Sequence, residues 1–218
     1  MPSISIVMPI YNGIEFIDDS VQSILRQSYT QWELIIGVNG HIENSETYQI
    51  AKTYAEEDNR IFVHDLHTIH GKANALNEML KYCNTDYVAI LDVDDIWAEN
   101  KLKMQVPYLN EYDVVGSRCV YFGDRNDIPY IPVGDISEFD FRQVNPVINS
   151  SSIIRKELCY WNDNDGVEDY DLWLRLRKEN KKFYNCSNLL VMHRIHNSSA
   201  FNSKGQASQK KVLLEAFS

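Results

Sequence analysis

Apolar positions along the chain recur in two alternating patterns. Residues 3–8, 32–38, 60–64 and 87–91 are short β-rich apolar runs, and each predicts a buried strand. Between them the apolar spacing becomes helical. Residues 15–27 place Phe16, Ile17, Val21, Ile24 and Leu25 on one face at three- and four-residue intervals. Residues 45–57 repeat the pattern with Ile50, Ala51 and Tyr54 inward behind a Ser45 cap, and residues 72–82 do so with Ala73, Leu76, Asn77 and Leu80. Strands alternating with amphipathic helices predict βαβ units, which close right-handed into a parallel sheet covered on both faces. Ligands of such sheets sit beyond the carboxyl ends of the strands, which directs attention to residues 9–13, 39–41 and 92–95.

The second half is less regular. Residues 114–122 predict a strand, 123–134 turns, 150–154 a further short strand, and 168–178 a helix with Leu172, Trp173 and Leu176 inward. No Pro/Gly/Ser-rich linker, low-complexity tract or repeat divides the two halves, so one domain is expected. A length of 218 residues at 44% hydrophobic composition suffices for one sizeable core.

Charge narrows the partners. Lys and Arg total 21 against 31 Asp and Glu, a formal net charge of -10, so the long-range field repels polyanions and nucleic acid is disfavoured. An anionic small substrate fits only where a cation or a few donors neutralise it locally. Cys83, Cys119, Cys159 and Cys186 are far apart with no C-x-x-C, which predicts reduced core thiols rather than zinc ligands or disulfides. The apolar run 4–10 contains Pro9 and has no basic flank, and no segment approaches about 18 consecutive apolar residues. A cytoplasmic protein without a transmembrane segment is expected. The N-x-S triplets at Asn149, Asn185 and Asn197 are accordingly taken as chance matches.

Four groups of residues carry candidate chemistry. Asp92, Asp94 and Asp95 follow a predicted strand, and three carboxylates on one loop repel one another unless a cation sits among them. The competing reading is a turn in which Asp94 or Asp95 caps a helix beginning near Ala98. Glu168, Asp169 and Asp171 open the 168–178 helix, where they serve either the helix dipole or, for one of them, general base catalysis. Arg194 and His196 alternate onto one face of an extended segment beside His193, open to phosphate or metal or simply to surface hydrogen bonds. Lys72, Asn74 and Asn77 follow Gly71 at a helix opening suited to phosphate or sugar hydroxyls. Neither a P-loop nor a G-x-G-x-x-G turn is present.

In joint order these pieces resemble glycosyltransferase family 2, from the first strand nearly to the C-terminus. The similarity begins with Ser5-Ile6-Val7-Met8-Pro9-Ile10-Tyr11-Asn12 and continues through Ser23-Ile24-Leu25-Arg26-Gln27-Ser28, Trp32-Glu33-Leu34-Ile35-Ile36 and Ala75-Leu76-Asn77. Its most specific blocks are Leu91-Asp92-Val93-Asp94-Asp95-Ile96-Trp97 and Glu168-Asp169-Tyr170-Asp171-Leu172-Trp173-Leu174-Arg175-Leu176. The resemblance implies a GT-A fold, a Rossmann-like nucleotide-binding α/β/α sandwich with a mainly parallel central sheet. Residues 1–97 would bind the nucleotide-sugar, and residues 98–218 would supply acceptor binding and catalysis.

The resemblance also implies roles. Pro9 and Tyr11 would lie near the nucleobase, Asp92 near the ribose, Lys72 near the donor, and Asp94 on a Mn2+ or Mg2+ ion bridging the phosphates. His196 would approach the metal or diphosphate, and Asp169 would be the base of an inverting transfer to a saccharide, protein or lipid hydroxyl. One departure concerns the base: the family usually has an acidic residue that reads uracil after the second strand, where this chain has Asn39. An amide still donates and accepts, so a UDP-sugar remains the expected donor. The absence of a Q-x-x-R-W block speaks against a processive synthase. The competing functions are a catalytically silent sugar-nucleotide or glycan-binding module and, ranked lower, a metal-dependent phosphohydrolase.

Overall fold

The first ninety residues fold as the apolar pattern predicts. In the computed structural model, which describes residues 1–163, 166–196, 214 and 215, strands β1 (Ile4–Ile10), β2 (Trp32–Asn39), β3 (Ile61–Leu66) and β4 (Tyr87–Ile90) alternate with helices α1 (Ile17–Leu25), α2 (Glu46–Glu57) and α3 (Lys72–Met79). β1 and β4 are buried at every position, as strands covered on both faces must be. Ser45 caps α2 by accepting from Tyr48 N at 3.2 Å. Ala51 and Tyr54 of α2 are buried, but Ile50 is exposed, because the inward stripe of this short helix is only two residues wide.

Among the described residues the strand order is β3-β2-β1-β4, then β8 (Ile153–Arg155), β6 (Val114–Gly123), β9 (Phe183–Ile195) and β5 (Ile96–Trp97), in one nine-stranded sheet with β7 (Gly134–Asp135) paired to β9 off that path. β1, β2, β3 and β4 run parallel, and so do β6 and β9, whereas the short strands β5, β7 and β8 pair antiparallel. The sheet is thus parallel along most of its ladder, and the chain is a single mixed α/β domain. Order reverses at β1, with β2 on one side and β4 on the other, which opens a crevice at the carboxyl ends of these two strands.

The second half departs from the sequence reading in three places. No helix begins at Ala98: residues 96–97 form β5, and the helix α4 (Lys101–Gln105) starts later, preceded by Asn100. Residues 149–151 are a 3-10 turn, so β8 is shorter than the predicted 150–154 strand. β9 is thirteen residues long, and the sequence reads only its end, around Arg194, as extended, since the rest does not alternate apolar with polar. Helix α5 (Glu168–Lys178) coincides with its prediction, with Leu172, Trp173 and Leu176 buried. All four cysteines are free and buried. Among the described residues no helix is long and apolar enough to cross a membrane.

Candidate active site

A cleft of about 1070 Å³ opens at the carboxyl ends of β1, β2 and β4, and all eight site residues proposed from sequence line it: Pro9, Tyr11, Asn39, Lys72, Asp92, Asp94, Asp169 and His196. Pro9 and Tyr11 lead out of β1 with the Tyr11 ring exposed, and Asn39 ends β2 almost fully buried. Gly40 follows with φ +73° beneath the Tyr11 ring, whose carbons lie 3.1 Å from where a Cβ would stand. Only glycine combines that backbone with that approach. His41 Nε2 donates to the Tyr11 carbonyl at 2.6 Å and fixes the two loops against each other.

The acidic loop after β4 is held from beneath by α1. Ser20 Oγ lies 2.6 Å from the carbonyls of both Val93 and Asp95. Ser23 Oγ accepts from Trp97 N, and Gln27 bonds both Ala98 O and Leu102 N. Ser20 and Ser23 lie on the buried side of α1 and Gln27 just past its end, which explains why an otherwise apolar face carries polar residues. The three aspartates then diverge. Asp92 faces Lys72 Nζ at 2.7 Å and receives Asn149 Nδ2 at 3.3 and 3.4 Å. Burial alone would raise the Asp92 carboxyl, but Lys72 and Asn149 hold it below its ordinary range.

Asp94 meets His196 Nε2 at 2.9 Å, and its carboxyl is pushed up by burial and by repulsion from Asp95 and Asp92. Asp95 is not a helix cap. It is fully buried, accepts from Arg194 N at 2.9 Å and lies 2.9 Å from His193 Nδ1. Although burial opposes its charge, His193 is raised to about 9 by Asp95 and the neighbouring aspartates. Arg194 turns away from the cleft: its guanidinium bonds Asp94 O and Asp19 and lies over the rings of Phe16 and Phe122. The end of β9 is therefore clamped to the acidic loop, and His196 is delivered with it. Asn197, Ser198 and Ser199, the rest of that sequence motif, lie outside the described residues.

The acidic trio at the start of α5 also separates. Asp171 pairs with Arg175 and Asn162, away from the cleft. Glu168 Oε1 is 3.5 Å from Lys72 Nζ, so one lysine links the β4 loop to α5. Asp169 receives Tyr170 N at 2.7 Å and Asn145 Nδ2 at 3.1 Å, and its carboxyl is raised to about 6 by burial and by Glu168. Of the α3 residues singled out with Lys72, Asn77 is bound to Trp161 through both its amide atoms and Asn74 to His70 O and Asp163, so both brace rather than face the cleft. Asn145 and Asn149 escaped the sequence reading, although Asn149 heads an N-x-S triplet; with Asn185, it is buried and unavailable to glycosylation. No three His, Cys, Asp or Glu side chains form a cage of their own among the described residues.

The sequence profile of Glycosyl transferase family 2 matches residues 5–178, spanning both the acidic loop and α5. The chain belongs to glycosyl transferase family 2. This family 2 chain is 29% identical over 220 residues to the UDP-Glc:alpha-D-GlcNAc-diphosphoundecaprenol beta-1,3-glucosyltransferase WfgD of Escherichia coli, covering 92% of the chain and 80% of the relative. In fold it is similar to TarS 1-349 of S. aureus, solved in complex with UDP-GlcNAc (TM-score 0.75, 15% identity, 99% of this chain and 65% of that one). It is also similar to the mannosyltransferase PcManGT of Pyrobaculum calidifontis, solved with GDP-Man and Mn2+ (TM-score 0.71, 17% identity, 91% of this chain and 59% of that one). The family 2 chain thus spans less than two thirds of either structural neighbour.

Proposed function

We propose that this chain is an inverting, metal-dependent glycosyltransferase that moves a sugar from a UDP-sugar to an acceptor hydroxyl on a saccharide, protein or lipid. The observation that carries the reading is a single cleft in which the Asp92-Asp94 loop faces a half-buried carboxylate, Asp169, whose affinity for a proton is raised toward neutrality. Residues 1–97 supply the donor end of that cleft, and residues 98–218 supply Asp169 and the acceptor side. The UDP-GlcNAc and GDP-Man held by the two structural neighbours, and UDP-Glc in the name of the relative, support a nucleoside diphosphate sugar as donor.

Asp94 and His196 are the residues that would hold a divalent cation. Their hard carboxylate and imidazole donors suit Mn2+ or Mg2+, and the mutual repulsion of Asp92, Asp94 and Asp95 is what such a cation relieves. Two protein ligands are enough where substrate phosphates complete the shell, as is usual for Mg2+. When bound, the ion stabilises the negative charge growing on the departing diphosphate.

The remaining steps belong to the protein. Tyr11 and Asn39 receive the nucleobase, and Asp92, held ionised by Lys72, accepts from ribose hydroxyls. Asp169 takes the proton of the acceptor hydroxyl as that oxygen bonds to the anomeric carbon and the bond to the diphosphate breaks on the opposite face. Configuration is therefore inverted. A carboxyl poised near 6 is largely ionised at neutral pH yet basic enough to assist, which matches the requirement on a general base. Holding both substrates in the cleft replaces a bimolecular encounter by an oriented one.

A panel of UDP-glucose, UDP-N-acetylglucosamine and GDP-mannose, each with and without MnCl2, tests the reading by nucleotide release. Manganese-dependent release of UDP from at least one donor is expected. Thermal stabilisation by a donor without any release identifies a silent binding module instead.

A further inference from the structure

Among the described residues seven buried side-chain polar atoms find no hydrogen-bond partner, and two of them belong to residues that line the cleft: Oδ1 of Asn145 and Oδ1 of Asn149. Both amides are oriented by what their nitrogens do. Asn149 Nδ2 faces the two oxygens of Asp92 at 3.3 and 3.4 Å, and Asn145 Nδ2 donates to Asp169 Oδ2 at 3.1 Å. An ionised carboxylate only accepts, so turning either amide over would set oxygen against oxygen. Each nitrogen is committed to a site carboxylate, and each oxygen is left as an acceptor. A buried acceptor without a partner is costly, so two on residues lining one cleft need an explanation.

The segment carrying them is built rather than loose. Asn149 opens the 3-10 turn Asn149–Ser151; Ser150 Oγ accepts from Asp92 N, Ser150 O accepts from Trp97 Nε1 at 2.7 Å, and Ser151 Oγ accepts from Ser117 N. Asn149 and Ser150 thus line the cleft in a turn that is tied to the acidic loop, to β5 and to β6.

We propose that Asn145 and Asn149 are a hydroxyl-reading pair for the transferred sugar. A lone carbonyl oxygen is satisfied only by a donor, which excludes ionised phosphate and carboxylate oxygens and admits the O–H groups of a sugar or the N–H of an acetamido sugar. Asn149 stands beside Asp92 and Asn145 beside Asp169, so the two residues flank the span in which the transferred sugar would lie between leaving group and attacking hydroxyl. This rests on the transferase reading above. The pair sets affinity for the sugar and leaves the nucleotide to other residues.

Calorimetric titration of UDP and of whichever donor wild type turns over, both with MnCl2, tests the pair in wild type, Asn149→Ala and Asn145→Ala. The same experiment includes singly deoxygenated analogues of that donor. The expected result is a loss of roughly 3- to 15-fold in affinity for the UDP-sugar beyond any loss for UDP, consistent with one hydrogen bond each. One deoxy analogue should bind wild type correspondingly less well but bind the matching variant as the full sugar does. Equal losses for UDP and UDP-sugar, with every deoxy analogue additive to the substitution, would mean that the amides only brace Asp92 and Asp169, and the proposal fails. A wild type that binds UDP but no sugar nucleotide overturns the transferase reading itself, and this inference with it.

Discussion

Asp169 sits where two causes act in the same direction: burial removes the water that would solvate its charge, and Glu168 adds a like charge one residue away. Because the base works only when ionised, kcat/KM should be flat above pH about 6 and fall roughly tenfold per unit below it. Glu168→Gln removes one of the raising causes, so the inflection should move to lower pH; a pH-rate profile that stays put would separate Glu168 from the tuning. The same shift bears on stability. A carboxyl whose folded pKa lies above its unfolded value of about 3.9 favours the folded state fully below that value and loses the contribution as pH rises through about 6. Asp169→Asn should therefore melt above wild type at pH 7.5, with the difference closing toward pH 4.

At this scale the sequence was informative where the chemistry is local. The resemblance implied Asp94 on a metal and His196 near the metal or diphosphate, and the structure sets these two side chains 2.9 Å apart although they are about a hundred residues apart in sequence. The role of Asp95 did not follow, because its partners, His193 and the Arg194 amide, are about a hundred residues away and a carboxylate before a turn looks like a cap from its neighbours alone. Asn145 and Asn149 left no signal either, since an amide earns notice in a sequence only through a motif, and the one available named glycosylation.

Among the elements, α1 shows how a scaffold helix serves a site it does not enter. Its Ser20 and Ser23, with Gln27 just beyond its C-terminal end, bond carbonyls and amides of residues 93–102, which have no regular ladder over most of their length. Gln27→Ala strands Leu102 N and removes one of the two donors to Ala98 O, which keeps the Lys101 amide. It should cost about 1–3 kcal/mol, which for a chain of this size lowers the melting temperature by a few degrees in a thermal scan. α5 was legible to its ends because an acidic first turn, a buried Leu172-Trp173-Leu176 stripe and a basic last turn all agree. β9 was not, because its long pairing with β6 contains register shifts around Arg118, so no single alternation of apolar and polar residues runs through it. β5, two residues long, is defined only by its partner β9.

For the molecule as a whole, the sheet brings distant segments of chain to one edge. β1, β2 and β4 deliver Tyr11, Asn39 and Asp92 by parallel pairing, and β9 returns along β6 to deliver His196 to the same loop. Half of this was readable, since βαβ alternation dictates where the parallel strands end, but the return path depends on pairings between residues far apart in sequence. The clamp between Asp95 and the end of β9 would make the proposed cation site a property of the assembled fold. Asp94→Ala should leave metal-free UDP binding near the wild-type level and abolish the increase that manganese brings; an undiminished manganese effect would remove Asp94 from the cation site.

The most direct test of the central claim compares wild type with Asp169→Asn on the donor selected by the panel, measuring UDP release and UDP affinity on the same preparations. A positioned base is worth about 100- to 10,000-fold, so release should fall by that factor while UDP affinity with manganese stays within about twofold of wild type. Release at the wild-type rate by Asp169→Asn would contradict the assignment of the base and, with it, the mechanism.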